Sequence, residues 1–476
     1  MVHKLRILSP VLLALLLVAP ELCLAAEGGH PALPPTLPIY WIVPFVCMLL
    51  SIAIGPLTVP HIWHHHYGKV ALFWGLAFLV PCWLTFGWHT AGFLAAETIL
   101  LEYMPFILLL LALFTVAGGI RLKGSLVGTP AVNTGILLIG TALASWMGTT
   151  GAAMLLIRPL LKANKHRKYR VHQVVFFIFL VANIGGSLTP LGDPPLFLGF
   201  LKGVDFFWTT THLLLKTVLV SGILLALFFV LDKVLYAREG SPVPPTDPTA
   251  ADEKLGIEGG INCVFLVFVV GNTLLSGQWK GAEVHFLGVP MEMQNIIRDV
   301  IYVAIAVLSW KTTDKAARRR NEFTWEPILE VAKLFIGIFL SMIPAIAILR
   351  AGNSGALAGL IGLVTDEGGN PNNAAFFWLT GWLSAFLDNA PTYLVFFNTA
   401  GGDAARLMAQ GEVLAAISAG AVFMGAITYI GNAPNFMVRA IAAEQGVRMP
   451  SFFGYMAWSV GILCPIFALL TVMFFV

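Results

Sequence analysis

The stretch Leu188-Thr189-Pro190-Leu191-Gly192-Asp193-Pro194-Pro195 interrupts an apolar run with polar residues and helix breakers. A second stretch, Ile427-Thr428-Tyr429-Ile430-Gly431-Asn432-Ala433-Pro434, repeats its pattern T-x-[LI]-G-[DN]-x-P at a constant offset, since 428 − 189 = 239. The same offset aligns two further polar interruptions, at 145–150 and 384–389. Duplicated halves that both carry polar breaks within apolar segments are typical of secondary transporters.

The composition indicates a membrane protein. Of the 476 residues, 58% are hydrophobic and only 11% are charged, whereas a soluble domain carries about 25% charged residues. Many apolar runs reach the length of a membrane-spanning helix, so we predict an all-α polytopic membrane protein whose partner is the lipid bilayer. The basic residues form short runs beside these spans, which argues against a nucleic-acid partner.

The chain divides into four predicted parts. Residues 1–26 have the basic start, apolar centre and small-residue end of a signal peptide, with an uncleaved signal anchor as the alternative. A first transporter half covers 27–231, a polar, proline-rich linker covers 232–258, and a second half covers 259–476. We expect this multi-pass protein to lie in a bacterial inner membrane.

Apolar runs predict five spans in each half. They are 39–57, 70–88, 105–119, 172–200 and 211–231, followed by 259–277, 296–310, 328–349, 412–440 and 453–476. Clusters of lysine and arginine follow residues 161 and 310, so the positive-inside rule places both loops, and the linker, in the cytoplasm.

Two further apolar segments, 132–161 and 373–400, are interrupted by polar tips and are predicted to enter and leave the membrane on one side. The legs of the first measure roughly 24 and 15 Å as helices, less than a hydrocarbon core of about 30 Å. We therefore predict two inverted repeats, each with about five spans and one re-entrant hairpin. One helix of each repeat, 172–200 or 412–440, is broken at the membrane midplane.

The four breaks should meet, because irregular backbone at this depth is tolerated only where it is buried in protein or lines a cavity. Asp193 and Asp388 are the main candidates for ion binding, and we consider both as ligands of Na⁺. Burial favours the protonated form of a carboxyl group, whereas a nearby cation favours the ionised form. A carboxylate between these effects can bind either H⁺ or Na⁺; the alternative is that each aspartate only caps a helix.

Neutral oxygen atoms in the breaks could complete an ion or substrate site, or could instead satisfy freed backbone groups. The candidates are Thr149, Thr150, Thr189, Asn389, Thr392, Thr428, Asn432 and Asn435. Asn183 could be a ligand or could form an interhelical hydrogen bond. No sequence pattern of an enzyme or of a bound cofactor is present; Na⁺ and H⁺ would be transported or coupling ions.

These motifs resemble the ion transporter superfamily, which includes sodium/proton antiporters, citrate transporters, arsenite permeases and divalent anion/sodium symporters. The resemblance is carried by Ala144–Pro159, by Asn183–Pro195 and by Phe386–Thr392. It implies an elevator-type carrier that is usually a homodimer. The dicarboxylate symporters of this superfamily carry Ser-Asn-Thr at each hairpin tip, whereas this chain has Gly148–Gly151 and Asp388–Thr392.

The charge of the tips decides our main hypothesis. An aspartate facing the site would repel a di- or tricarboxylate unless a sodium ion neutralised it. We therefore expect a sodium/proton antiporter, with a sodium-coupled citrate or organic-anion symporter and an arsenite or oxyanion export permease as alternatives.

Overall fold

The structure is a computed structural model that describes residues 31–34, 36–124, 126–242, 256–366 and 368–476. Within these ranges, eight helices are long and apolar enough to cross a membrane, or nine if a pair bent by 99° counts as one span. The prediction of an all-α polytopic membrane protein is confirmed. The predicted signal peptide, residues 1–26, lies outside the described residues.

The described residues of the first half form eight α-helices and one short strand. They are α1 (Val43–Thr58), α2 (Pro60–Thr98), α3 (Met104–Ala117), β1 (Arg121–Lys123), α4 (Pro130–Met147), α5 (Thr149–Ala163), α6 (Val171–Leu180), α7 (Pro194–Leu201) and α8 (Trp208–Arg238). Short 3-10 turns cover Ile39–Ile42 and Ile184–Ser187, and a π-helical turn covers Ile99–Tyr103.

The second half has eleven α-helices and three strands among the described residues. They are β2 (Gly256–Glu258), α9 (Ile261–Gln278), β3 (Glu283–Phe286), β4 (Val289–Glu292), α10 (Met293–Thr312), α11 (Lys315–Arg320), α12 (Glu326–Arg350), α13 (Ala358–Leu363), α14 (Asn373–Leu387), α15 (Asn389–Thr399), α16 (Ala404–Gln410), α17 (Glu412–Phe423), α18 (Ala433–Glu444) and α19 (Phe452–Phe474). Further 3-10 turns cover Gly352–Ser354 and Met424–Ile427. Strands β1 and β2 pair antiparallel, as do β3 and β4.

The region predicted as two spans, 70–88 and 105–119, is longer and more continuous than expected. Helical structure runs from Pro60 to Ala117, and the interruption lies at Gly87, whose φ of 86° and ψ of 158° are not helical. Glycine adopts this conformation because it has no Cβ. The chain therefore turns at a single residue here, without the loop that the hydropathy pattern indicated.

The structure also differs from the prediction at both ends of the linker, 232–258. Helix α8 continues through Asp232 to Arg238, and Asp232 is buried. Residues 256–258 form strand β2, which pairs with β1 of the first half. Residues 243–255 lie outside the described ranges.

Two helical hairpins stand at equivalent places in the two halves. Helices α4 and α5 are joined by Gly148 alone, and α14 and α15 by Asp388 alone. Reciprocal amide hydrogen bonds of 2.9 and 2.7 Å between Asn133 and Asn164 hold the open end of the first hairpin together. In each half a broken helix follows the hairpin: α6 and α7 in the first, α17 and α18 in the second.

Helices α2, α3 and α12 form a closely packed frame. A methyl group on Gly337 of α12 would lie 2.5 Å from the carbonyl oxygen of Ala71, so the backbones of α12 and α2 are in direct contact. The rings of Phe106, Phe335 and Phe339 pack against one another in tilted and edge-to-face arrangements and join α3 to α12. Tight packing of this kind makes the frame resistant to deformation.

Candidate functional site

All four chain breaks meet at the carboxylate of Asp193, which is 1% exposed. Its Oδ1 accepts hydrogen bonds of 3.0 Å from the hydroxyl of Thr149, at the first hairpin tip, and from Nδ2 of Asn432, in the second broken helix. Its Oδ2 accepts a bond of 2.5 Å from Nδ2 of Asn389, at the second hairpin tip. One buried carboxyl group thus joins the two halves of the chain.

In each break, one residue directly precedes a helix. Gly148, Asp193, Asp388 and Asn432 occupy the N-cap positions of α5, α7, α15 and α18. A helix N-terminus carries roughly half a positive charge, so four of them stabilise ionised carboxylates at this depth. The Asp193 side chain makes no capping bond to its own helix, because its oxygens accept from the other three breaks.

Asp388 has an unusual backbone conformation. Its φ of 84° and ψ of 139° match those of Gly148, 81° and 147°, and lie in a region that residues with a Cβ rarely adopt. Asp388 Oδ1 accepts a bond of 3.2 Å from the backbone N–H of Ala390, so this aspartate does cap its helix. Asp388 and Asp193 line the same cavity.

A cavity of about 630 Å³ leads from the breaks towards the side predicted to be cytoplasmic. Thr149, Asp193, Asp388 and Asn389 line its inner part. Its ionisable lining is strongly acidic: six carboxyl groups face one arginine and one histidine. They are Asp193, Glu322, Glu326, Glu330, Asp388 and Glu444, against Arg158 and His64.

Comparison with protein families agrees with this architecture. The family described as "Putative citrate transport" matches residues 35–475. The chain belongs to this family. Membership of a transport family, together with the polytopic helical fold, makes the protein a secondary transporter. Comparison with curated proteins gave no match.

Three asparagines of the transporter form a buried network behind Asp193. Asn183 Nδ2 donates to Asn435 Oδ1 at 2.7 Å, and Asn432 Nδ2 approaches Asn183 Oδ1 at 3.3 Å. Asn435 Nδ2 donates to the carbonyl oxygens of Gly425 and Thr428 at 2.8 and 2.9 Å. Two roles were predicted for Asn183, a ligand or an interhelical hydrogen bond, and the structure shows the hydrogen bond. Asn435 satisfies freed backbone carbonyls of the second broken helix.

The remaining candidate threonines differ in where their hydroxyls point. Thr189 and Thr428 donate to the carbonyls of Ser145 and Ala385, so each ties a broken helix to its neighbouring hairpin. Thr392 donates to the carbonyl of Asp388 at 2.7 Å within its own helix. Thr150 lines the cavity.

Two residues that the site hypothesis left out also hold the breaks in place. Ser145 Oγ donates to the carbonyl of Gly185 at 2.5 Å, and Ser384 Oγ donates to that of Ala421 at 2.6 Å. Their conserved offset of 239 residues within the chain was the available signal.

Asn389 has one atom without a partner. Its Nδ2 donates to Asp193, but its Oδ1 is buried and accepts no hydrogen bond. A buried acceptor without a donor is costly, and a cation or a protonated group beside it would remove that cost. No group of three His, Cys, Asp or Glu side chains suited to a metal ion occurs among the described residues, so a cation here would need neutral oxygens in addition to a carboxylate.

Proposed function

We propose that the protein exchanges sodium ions for protons across a bacterial inner membrane. The observation that carries this proposal is the position of Asp193, a buried carboxylate at which both hairpins and both broken helices meet. A group that contacts all four breaks would change its surroundings if they moved relative to one another, and could then bind an ion in one conformation and release it in another.

The charges of the cavity support a cation as the cargo. Six carboxyl groups line it, and its one arginine, Arg158, pairs with Glu322 at 3.0 Å. A cavity lined by one sign of charge concentrates ions of the opposite sign. A citrate trianion would meet this potential, and the described residues that line the inner part of the cavity offer it no free basic group.

The geometry suggests how Na⁺ and H⁺ compete. When Asp193 is ionised, its carboxylate and the hydroxyl of Thr149 offer oxygen ligands to Na⁺. The unpartnered Oδ1 of Asn389 is a third oxygen close by. A proton on Asp193 removes the charge and one acceptor site, so Na⁺ leaves. Because both ions need the same oxygens, the carrier would exchange one for the other.

Asp193→Asn tests this mechanism in proteoliposomes that contain a pH-sensitive dye. Wild-type protein should move protons when Na⁺ is added, and Asp193→Asn should show no proton movement above protein-free liposomes. Asp366→Asn removes an exposed carboxylate outside the cavity and should transport normally. Sodium-driven proton movement in Asp193→Asn at the wild-type rate would contradict the proposal.

A sodium-coupled citrate symporter is the second candidate, and two observations favour it. The family description names citrate, and four helix N-termini converge on the site, where they attract anions. In this case Na⁺ at Asp193 and Asp388 would neutralise the site before citrate enters. Uptake of labelled citrate that requires Na⁺ but no pH gradient would select symport and reject exchange.

A further inference from the structure

A second cavity, of about 300 Å³, lies between the end of hairpin helix α5 and strand β1. Its lining has five basic side chains and, among the described residues, no acidic one. The basic residues are Arg121, Lys123, Arg158, Lys162 and Arg320. It thus has the opposite charge to the transport cavity, with which it shares Arg158.

Neighbouring carboxylates neutralise only part of this charge. Glu258 pairs with Arg121 at 3.1 Å and with Arg320 at 3.3 Å, and Glu322 pairs with Arg158. Two carboxylates against five basic groups leave an excess of three positive charges, since 5 − 2 = 3. The cavity therefore favours a multivalent anion.

Arg158 lines this cavity and has one N–H group without a partner. Its Nε and Nη2 both bind Glu322, at 3.1 and 3.0 Å, whereas Nη1 is buried and has no hydrogen-bond partner. A planar guanidinium with a free N–H suits the oxygens of a phosphate or carboxylate group. Lys162, one helical turn further along α5, adds an ammonium group to the same wall.

Apolar side chains are exposed close by in the chain. Val127, which follows β1, is 42% exposed, and Ile257, the β-pairing partner of Leu122, is 57% exposed. Basic residues beside exposed apolar ones are the arrangement that holds a phospholipid headgroup at the membrane surface.

We propose that this cavity binds a phosphate-bearing anion, with the phosphate between Arg158, Lys123 and Lys162. The group belongs either to the headgroup of an anionic phospholipid or to a soluble phosphate compound. Arg158 and Lys162 lie on the first hairpin, whereas Arg121, Lys123 and Arg320 lie on elements outside it. A bound anion would therefore link the hairpin to its surroundings, and it would compete with Glu322 for Arg158 at the wall of the transport cavity.

The experiment uses delipidated full-length protein with cardiolipin, phosphatidylcholine or inorganic pyrophosphate as the probe. Binding is measured by thermal stabilisation and by native mass spectrometry. We expect cardiolipin or pyrophosphate to stabilise the protein more than phosphatidylcholine does. The double variant Lys123→Gln with Lys162→Gln should bind that anion with an affinity lower by about tenfold or more. Its melting temperature without probe should equal that of the wild type.

The control pair, Lys311→Gln with Lys315→Gln, removes two exposed lysines outside the cavity and should bind the anion as the wild type does. Stabilisation by cardiolipin alone assigns the cavity to a lipid headgroup, and stabilisation by pyrophosphate assigns it to the phosphate group itself. Equal losses in the two lysine pairs, or no advantage of either anion over phosphatidylcholine, would overturn the proposal.

Discussion

The two hairpin tips have the same backbone conformation but different side chains, since one is a glycine and the other an aspartate. Gly148 and Asp388 each reverse the chain in one residue, with φ of 81° and 84°. Glycine adopts this conformation without strain, whereas a residue with a Cβ pays about 1–3 kcal/mol. The second tip therefore retains a carboxylate at a place where glycine would be more stable. Strain at one tip and not the other points to a function for Asp388 beyond capping.

Replacing Asp388 by glycine should give the largest effect. Asp388→Gly relieves the strain but removes the carboxylate, so thermal stability should stay the same or rise while apparent Na⁺ affinity falls by about 100-fold or more. Sodium-dependent proton movement in proteoliposomes, with a melting curve of the same sample, measures both quantities.

Asp388→Asn is the matched control for that variant, because it keeps the side-chain shape and an oxygen for the N–H of Ala390. If the negative charge is needed, Asp388→Asn loses transport as Asp388→Gly does. Normal transport in Asp388→Asn would show that the residue acts as a cap and would remove the functional contrast between the tips.

The reverse experiment introduces strain at the first tip. Gly148→Ala places a Cβ 3.4 Å from the carbonyl oxygen of Leu191, so there is room for it and the cost is conformational. We expect the free energy of unfolding to fall by about 1–3 kcal/mol, seen as a lower melting temperature. Gly222→Ala in α8, where an added Cβ meets nothing within 4 Å, should not lower it. Equal melting temperatures for Gly148→Ala and the wild type would mean that the two tips differ in chemistry but not in strain.

The smallest effect is expected from a neutral ligand. Thr149→Val removes the hydroxyl that donates to Asp193 and should weaken apparent Na⁺ affinity by up to about tenfold, the value of one hydrogen bond. Thr392→Val removes a hydroxyl at the other hairpin that donates only to a carbonyl of its own helix, and should change the affinity by less than about twofold. Sodium titrations of the transport rate compare them, and equal effects would remove Thr149 from the site.

Much of this arrangement follows from the sequence, because its physical cause is general. Polar breaks in apolar segments must be buried together, and the structure brings the four breaks to one point at Asp193. The alignment of the two hairpin tips, in contrast, does not follow from the sequence offset. A gap-free offset of 239 pairs Gly148 with Leu387, whereas the backbone pairs it with Asp388. The tip-to-break spacings differ by one residue, since 193 − 148 = 45 and 432 − 388 = 44.

The roles of the threonines could not be separated from residue type. A threonine hydroxyl can donate to a carboxylate or to a carbonyl, and the choice depends on which group lies closer. Thr149 reaches Asp193, whereas Thr189 and Thr428 reach hairpin carbonyls. Likewise, the bond from Asn389 to Asp193 joins residues 196 positions apart, and no local pattern indicates it.

The convergence on Asp193 has a consequence for biogenesis. Two of its three hydrogen-bond donors, Asn389 and Asn432, are synthesised 196 and 239 residues after it. Until they are made, the first half contains only one of these three donors, Thr149. Correct insertion of the second half therefore stabilises the protein through hydrogen bonds at the proposed ion site, so the same residues would favour both ion binding and correct assembly.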